Sequence, residues 1–198
     1  MQLVELADGQ GHRSVVFEGL TLGERTLRNA EFDDVLFKDC RFEKVKLMGV
    51  QLSSCRFSGC DLTRLGLAGS TFNDVRFEDC RMMGIDFAAL LQVIIDMGFR
   101  DCVLDYGGFS RMKLRDTPFL DCRIRDADFS HTTLPRAVFS GSDLSGSTFN
   151  HADLIGADFR NATGVSFDPK LVKLGGTRVD LETLLAIGDR IGLNTEIG

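Results

Sequence analysis

The chain has 198 residues, of which 43% are hydrophobic and 26% are charged, and its formal net charge at pH 7 is −6. These values fit a single globular domain. The sequence starts without the basic and apolar segments of a signal peptide, and no stretch approaches the roughly 20 apolar residues of a membrane span. We therefore expect a cytoplasmic protein that contacts neither a membrane nor, directly, a nucleic acid.

Residues 1–14 form the first segment of the chain. They contain Gly9 and Gly11, and they precede the repeat described next. We interpret this segment as an N-terminal lead-in that covers the first coil of the repeat.

From Phe17 onward a large apolar residue recurs at every fifth position, and all but one of the 16 phenylalanines lie on this spacing. The first series is Phe17, Leu22, Leu27, Phe32, Phe37, Phe42, Leu47, Leu52, Phe57, Leu62, Leu67, Phe72, Phe77, Met82 and Phe87. The second series, displaced by two residues, is Ile94, Phe99, Leu104, Phe109, Leu114, Phe119, Ile124, Phe129, Leu134, Phe139, Leu144, Phe149, Leu154 and Phe159. A step of five fits neither the helical nor the strand period, so the chain must turn once per repeat. We place the register shift within residues 88–93.

A second inward position, two residues before each large one, holds smaller side chains. All six cysteines occupy it, among Val, Ala, Ser and Thr: Cys40, Cys55, Cys60, Cys80, Cys102 and Cys122. This placement indicates packed, reduced thiols. A column of thiols that all face the same way offers neither a disulfide framework nor the tetrahedral cage of a zinc site.

A period of 20 residues lies within the period of five. Every fourth large position is aromatic: Phe17, Phe37, Phe57, Phe77, Phe99, Phe119, Phe139 and Phe159. One coil therefore contains four five-residue repeats and has a square cross-section, with successive coils about 4.8 Å apart as in a β-ladder. The sequence predicts an all-β solenoid over residues 15–163.

Residues 164–198 are expected to form a C-terminal cap. Gly164 and Pro169 fall where large residues would continue the repeat. Asp180 is a suitable helix N-cap, and Leu181, Leu184, Leu185 and Ile191 share one face at helical spacing, with Leu193 in the tail beyond. This predicts a short α-helix that covers the open end of the solenoid.

The sequence contains no catalytic constellation, and we predict no enzyme activity, no cofactor and no metal. Of the three histidines, His131 and His151 lie one coil apart on the outside, and two imidazoles without a nearby carboxylate make a weak metal site. One outward column is strongly acidic: Asp39, Asp79, Asp101 and Asp121 lie two residues after the aromatic column. It is either a row of turn-forming residues offset by Arg41, Arg81 and Arg123 or a stripe that receives a basic surface.

The pattern of a small residue, a polar residue and then Leu or Phe, as in Ala127-Asp128-Phe129 and Ala152-Asp153-Leu154, resembles the pentapeptide-repeat proteins. The resemblance covers about residues 15–163 and implies a right-handed quadrilateral β-helix. In this family C-terminal elements commonly form a two-fold dimer contact. The resemblance therefore assigns dimerisation to Leu181, Leu184, Leu185, Ile191 and Leu193, with plugging of their own end as the alternative.

Within that family the chain looks most like the bacterial branch that protects topoisomerases, which includes quinolone-resistance proteins and immunity proteins against gyrase toxins. The segment Phe139–Gly146 and the ending from Asp180 to Gly198 carry this likeness. It implies a non-enzymatic DNA mimic that binds DNA gyrase or topoisomerase IV and protects it from an antibiotic or peptide toxin, or modulates it. Either the acidic stripe or the excursion at residues 88–93 would make the contact. The alternative is a scaffolding β-helix with no topoisomerase role.

Overall fold

The computed structural model describes residues 6–93 and 95–190 and shows the predicted right-handed quadrilateral β-solenoid followed by one helix. The strands are short because the chain turns a corner after each of them. They are β1 (Gly11–Arg13), β2 (Val16–Glu18), β3 (Thr21–Leu22), β4 (Thr26–Arg28), β5 (Glu31–Asp33), β6 (Leu36–Lys38), β7 (Arg41–Phe42), β8 (Lys46–Met48), β9 (Gln51–Ser53), β10 (Arg56–Ser58), β11 (Thr71–Glu78), β12 (Ile95–Arg100) and β13 (Phe119–Leu120). A 3-10 turn (Phe87–Ala89) and helix α1 (Leu181–Arg190) complete the described elements.

The four faces of the solenoid are parallel ladders in which each strand pairs with the strand one coil away. Face 1 begins with β1, face 2 with β2, face 3 with β3 and face 4 with β4. On face 2 the register pairs Phe17 with Phe37 and Phe37 with Phe57, as the 20-residue period predicts. Isolated parallel bridges continue the ladders of the later coils as far as Arg178.

The two extra residues of the sequence are accommodated between β11 and β12. Phe72 pairs with Ile95, whereas Phe77 pairs with Phe99, and the register shifts between Phe72 and Val75. The residues before β12 leave the face as the 3-10 turn and the segment that follows it, in which Val93 is 74% exposed. The shift is therefore a local excursion that leaves the aromatic column of face 2 in line.

The core consists of side chains stacked along the solenoid axis. On face 2 the phenylalanine rings are nearly parallel, with centroids 4.6 Å apart for Phe37 and Phe57 and 4.9 Å apart for Phe119 and Phe139. In the later coils a second column forms on face 4 from Phe87, Phe109, Phe129 and Phe149. Rings of the two columns meet edge to face, and this geometry is favourable for aromatic pairs.

Most corners place a residue in the left-handed backbone region, two positions after the large inward residue. Asp39, Asp79, Asp101 and Asp121 have φ between 52° and 54°, and Gly59 and Gly141 occupy the same column at 64° and 73°. Glycine, aspartate and asparagine tolerate this conformation best, which explains why they recur at these corners. The same corners also accept basic residues, since Lys44, Arg64, Arg111 and Arg136 have φ from 56° to 62°.

The corners are closed by two kinds of hydrogen bond. In the later coils the N–H of most Ala, Ser and Thr residues at the small inward position donates to the carbonyl of the preceding large inward residue, as from Ala137 to Leu134 at 3.2 Å, and the N–H groups of Leu65 and Met112 do the same. At the six cysteine corners, all of which the structure describes, no such bond forms. The thiol donates to a carbonyl one coil earlier at four of these corners, as from Cys60 to Phe37 at 3.3 Å, whereas the thiols of Cys102 and Cys122 donate to the carbonyl two residues before them. All six thiols are free and buried, and burial raises the pKa of Cys55 to about 11.

The two ends of the solenoid differ in part from the expectation. His12 lies on the five-residue spacing, and its ring stacks on Phe32 with a centroid distance of 5.2 Å, so strand pairing already starts at β1. At the other end Val165 and Phe167 are buried where Gly164 and Pro169 interrupt the repeat. Helix α1 follows, and no helix in residues 6–93 and 95–190 has the length and hydropathy needed to cross a membrane.

Candidate protein-interaction surfaces

The four aspartates of the acidic stripe lie in one exposed corner column between face 2 and face 3. Their backbone N–H groups donate to carbonyls of the following coil, for example from Asp79 to Arg100 at 3.1 Å and from Asp121 to Ser140 at 2.9 Å. The carboxylates of Asp39 and Asp121 turn along the axis toward Gly59 and Gly141, where any Cβ atom would collide with them. The stripe is thus built from turn-forming residues and still presents its charges to solvent.

The arginines expected to neutralise the stripe do not do so. Arg123 forms its ion pair with Asp105, at 2.7 Å, and not with Asp121. In the part of the chain that the structure describes, no basic group forms an ion pair with Asp39, Asp79, Asp101 or Asp121. The acidic corner therefore stays electrostatically available to a partner.

Sequence reasoning missed a groove beside this stripe on face 3. The groove has a volume of about 990 Å³ and extends over the coils from Asp39 to Gly84, with Tyr106 at one end. Asp39 and Asp79 border one side, and Lys44 and Arg64 border the other. The alternation of Arg41, Asp61 and Arg81, which lie directly above one another on this face, was the signal in the sequence that could have located it.

The leucines assigned to dimerisation differ in exposure. Leu181 and Leu184 are 66% and 55% exposed on α1, whereas Leu185 is half-buried. The helix packs onto the solenoid through other residues, Thr183 and Ile187, which are both buried. Leu181 and Leu184 therefore do not plug their own end. Ile191 and Leu193, together with Ile94 of the repeat series, lie outside the described residues.

The histidine pair lies on the outside of the solenoid. The imidazoles of His131 and His151 are exposed and stack with their ring centroids 5.0 Å apart. Within residues 6–93 and 95–190 no group of three or more His, Cys, Asp or Glu side chains is arranged to hold a metal ion.

Comparison with known proteins relates the repeat to one family. A family model described as a pentapeptide repeat region matches residues 30–91 and 50–129. A second, described as pentapeptide repeats in eight copies, matches residues 122–161. No curated protein sequence matches the chain.

Solved structures show the same fold over most of the chain. The trypsin-treated form of QnrB1, a plasmid-mediated fluoroquinolone resistance protein, is 19% identical, with a TM-score of 0.64 over 94% of this chain and 100% of that one. Full-length QnrB1 is 20% identical, with a TM-score of 0.58 over 92% and 99%. HetL, a pentapeptide repeat protein involved in heterocyst differentiation regulation from the cyanobacterium Nostoc, is 15% identical, with a TM-score of 0.57 over 88% of each chain.

Proposed function

Because the chain belongs to the pentapeptide-repeat family, we propose that it is a non-enzymatic protein that binds DNA gyrase or topoisomerase IV. It modulates the enzyme or protects it from an antibiotic or peptide toxin. The observation that carries this proposal is the corner column of exposed carboxylates Asp39, Asp79, Asp101 and Asp121, which no described basic group neutralises. Further support comes from the fold shared with the fluoroquinolone resistance protein QnrB1 over nearly the whole chain.

The charge of the molecule limits how closely it imitates DNA. B-DNA carries about one negative charge per 1.7 Å, so a rod of comparable length presents far more charge than the net −6 of this chain. Contact with the DNA-binding surface of a topoisomerase therefore depends on the local acidic edge and on the shape of the solenoid. The interaction should weaken as salt screens the exposed carboxylates.

The direct test measures DNA supercoiling by purified gyrase with the protein added, in the presence and absence of a quinolone or a gyrase toxin. The informative variant carries Asp79→Asn, Asp101→Asn and Asp121→Asn. Asparagine occupies the same left-handed corner at Asn161, so the variant should fold and melt normally. We expect the effect on gyrase to be lost.

The matched control carries Asp34→Asn, Asp74→Asn and Asp116→Asn, which make the same charge change at left-handed corners of a different column. This variant should retain the effect. If both triple variants act on gyrase as the native protein does, the acidic stripe is not the contact.

The second candidate function is that of a scaffolding β-helix with no topoisomerase role. The fold shared with HetL, a regulator of differentiation, favours it. If the native protein has no effect on gyrase or topoisomerase IV at tens of micromolar, with and without drug or toxin, the result favours the scaffolding function.

We further propose that the molecule is a dimer through α1, because Leu181 and Leu184 expose large apolar surfaces at the end of the solenoid. Leu181→Asp with Leu184→Asp should halve the mass measured by light scattering. Leu91→Asp, at a leucine that is 50% exposed far from this end, should leave the mass unchanged. An unchanged mass in the double variant would contradict the assignment.

A further inference from the structure

The groove on face 3 has walls of opposite charge. Carboxylates of Asp39 and Asp79 line the corner toward face 2, and Lys44 and Arg64 line the corner toward face 4. Glycines at corner positions 59 and 84 leave gaps in both walls, which widen the groove. Any ligand that crosses it meets both signs of charge.

The charges of face 3 are paired along a diagonal that joins each coil to the next. The position after the inward residue of one coil reaches the position before the inward residue of the following coil, 18 residues along the chain. Asp105 and Arg123 form such a pair at 2.9 Å, and Arg125 and Asp143 form another at 2.6 Å. In these later coils every charge on the diagonal meets its opposite.

In the groove, the residues at the equivalent diagonal positions cannot form ion pairs. These positions bring Glu43 toward Asp61, which carry like charges, and Thr63 toward Arg81, which cannot form an ion pair. Among the described residues, neither Arg64 nor Arg81 forms a salt bridge. The groove thus contains two carboxylates, Glu43 and Asp61, and two guanidinium groups, Arg64 and Arg81, that form no salt bridge among the described residues, although Asp61 lies between Arg41 and Arg81 in the ladder.

The floor of the groove holds a polar group without a partner. The hydroxyl Oγ1 of Thr63 is buried and forms no hydrogen bond with any described residue, although its backbone N–H donates to Asp61 at 3.1 Å. A buried hydroxyl is costly unless something bonds to it.

We propose that this groove binds an extended segment of a partner protein that carries a basic and an acidic side chain on the same edge. The basic side chain contacts Glu43 and Asp61, and the acidic one contacts Arg64 and Arg81. On an extended chain, residues two apart lie on one edge about 6.6–6.8 Å from each other, which is between one and two coil spacings. The inference goes beyond the topoisomerase proposal, because it rests on Glu43, Asp61, Arg64 and Arg81 and not on the aspartates of the stripe, of which Asp39 and Asp79 only border the groove, and it names no enzyme.

The experiment titrates the isotopically labelled protein with three synthetic peptides of equal length and follows backbone amide shifts by NMR. One peptide repeats Lys-Ala-Glu-Ala, the second Lys-Ala-Lys-Ala and the third Glu-Ala-Glu-Ala. The mixed peptide should bind with a Kd at least about tenfold lower than either of the others. Its shifts should centre on Gly59, Thr63 and Gly84.

The matched variants introduce into the groove the diagonal ion pairs that the later coils form. Glu43→Arg pairs with Asp61 as Arg125 does with Asp143, and Thr63→Asp pairs with Arg81 as Asp105 does with Arg123. The double variant should melt no lower than the native protein and should lose the preference for the mixed peptide. The control, Glu31→Arg with Ser110→Asp, makes the same charge changes on other faces and should keep that preference.

Three results would overturn the inference. They are equal binding of all three peptides, an unchanged preference for the mixed peptide in the variant with Glu43→Arg and Thr63→Asp, or no change in amide chemical shifts with about 1 mM mixed peptide. None of these readouts involves a topoisomerase. A negative peptide titration therefore leaves the topoisomerase proposal unaffected. A negative supercoiling assay likewise leaves the peptide-binding proposal unaffected.

Discussion

The coils before and after the register shift share the five-residue spacing but differ in how their side chains pack and pair. Before the shift, Val and Cys fill most small inward positions, and one column of phenylalanines faces mainly leucines. After it, Ala, Ser and Thr close half of the corners with their own backbone hydrogen bonds, two phenylalanine columns interlock, and the diagonal charges of face 3 are paired. On face 3 the later coils therefore pair their own charges, whereas the charged groups of the earlier coils on that face form no salt bridge with one another among the described residues.

The largest expected effect tests the interlocked columns. Phe119 is fully buried among four rings, with Phe99 and Phe139 stacked on it and Phe109 and Phe129 edge-on. We expect Phe119→Ala to lower the free energy of unfolding by about 3–5 kcal/mol through cavity formation. Phe57→Ala should fall at the lower end of that range, because Phe57 has one edge-on ring, Phe42, beyond its stacked neighbours.

Urea denaturation of both variants provides the comparison. A loss below about 1 kcal/mol for Phe119→Ala would contradict its place in the packed core. Equal losses for the two variants would remove the distinction between the early and late columns.

The next effect tests the closed corners. The methyl group of Ala137 is buried, and its N–H closes the corner with Leu134. Ala137→Val adds volume there and should cost about 1–3 kcal/mol in the free energy of unfolding. Ala68→Val, on an exposed face, should change it by no more than about 0.5 kcal/mol. Thermal melting distinguishes the two variants, and equal melting temperatures would contradict tight packing around Ala137.

A smaller effect tests the diagonal pairs. Asp105 is 6% exposed and accepts hydrogen bonds from the side chain of Arg123 and from the N–H of Arg125. Asp105→Asn removes the charge and should cost about 1–2 kcal/mol in urea denaturation. Asp61→Asn keeps the bond from Thr63 and breaks no ion pair, so it should cost at most about 0.5 kcal/mol. A reversed order would mean that the groove charges are already compensated.

The smallest effect is a pH dependence in the late coils. The Arg160 guanidinium, hydrogen-bonded to Asp158, lowers the pKa of that carboxyl to about 2. Because the pKa is depressed in the folded state, its contribution to stability is complete above about pH 4 and is lost as the pH falls toward 2. Solvent screening of the exposed arginine limits the contribution to about 1 kcal/mol.

Urea denaturation at a series of pH values, compared with Asp158→Asn, measures this contribution. The native protein should lose stability between about pH 4 and pH 2 more steeply than the variant. Parallel curves would show that the pair contributes nothing to stability.

The repeat spacing was sufficient to predict the cross-section, the aromatic column of face 2 and the buried thiols. These follow from which side chains point inward, and that is a property of the sequence period. His12 was missed because histidine is not counted among large apolar residues, although stacked on Phe32 it fills the same place. Val165 and Phe167 were missed because they take core positions off the spacing.

The surfaces could not be predicted to the same degree. The sequence identified the acidic column, but it did not show that Arg123 reaches back to Asp105 instead of its neighbour in the chain. Such contacts depend on how long side chains cross between coils, which the inward period does not specify. The groove likewise results from the absence of side chains at Gly59 and Gly84 as much as from the charges that line it.

The ladder of hydrogen bonds has a consequence for how such a molecule changes length. The N–H of Arg41 bonds to Leu20 and that of Phe42 to Asp61, so each coil is held by the coil on either side. Duplicating residues 121–140 should therefore insert one extra coil and lengthen the solenoid by about 4.8 Å. The distance along the axis between the groove and the leucines of α1 would increase by one coil spacing, while the residues around each surface stay the same. The distance between two bound partners can therefore be changed in multiples of one coil spacing.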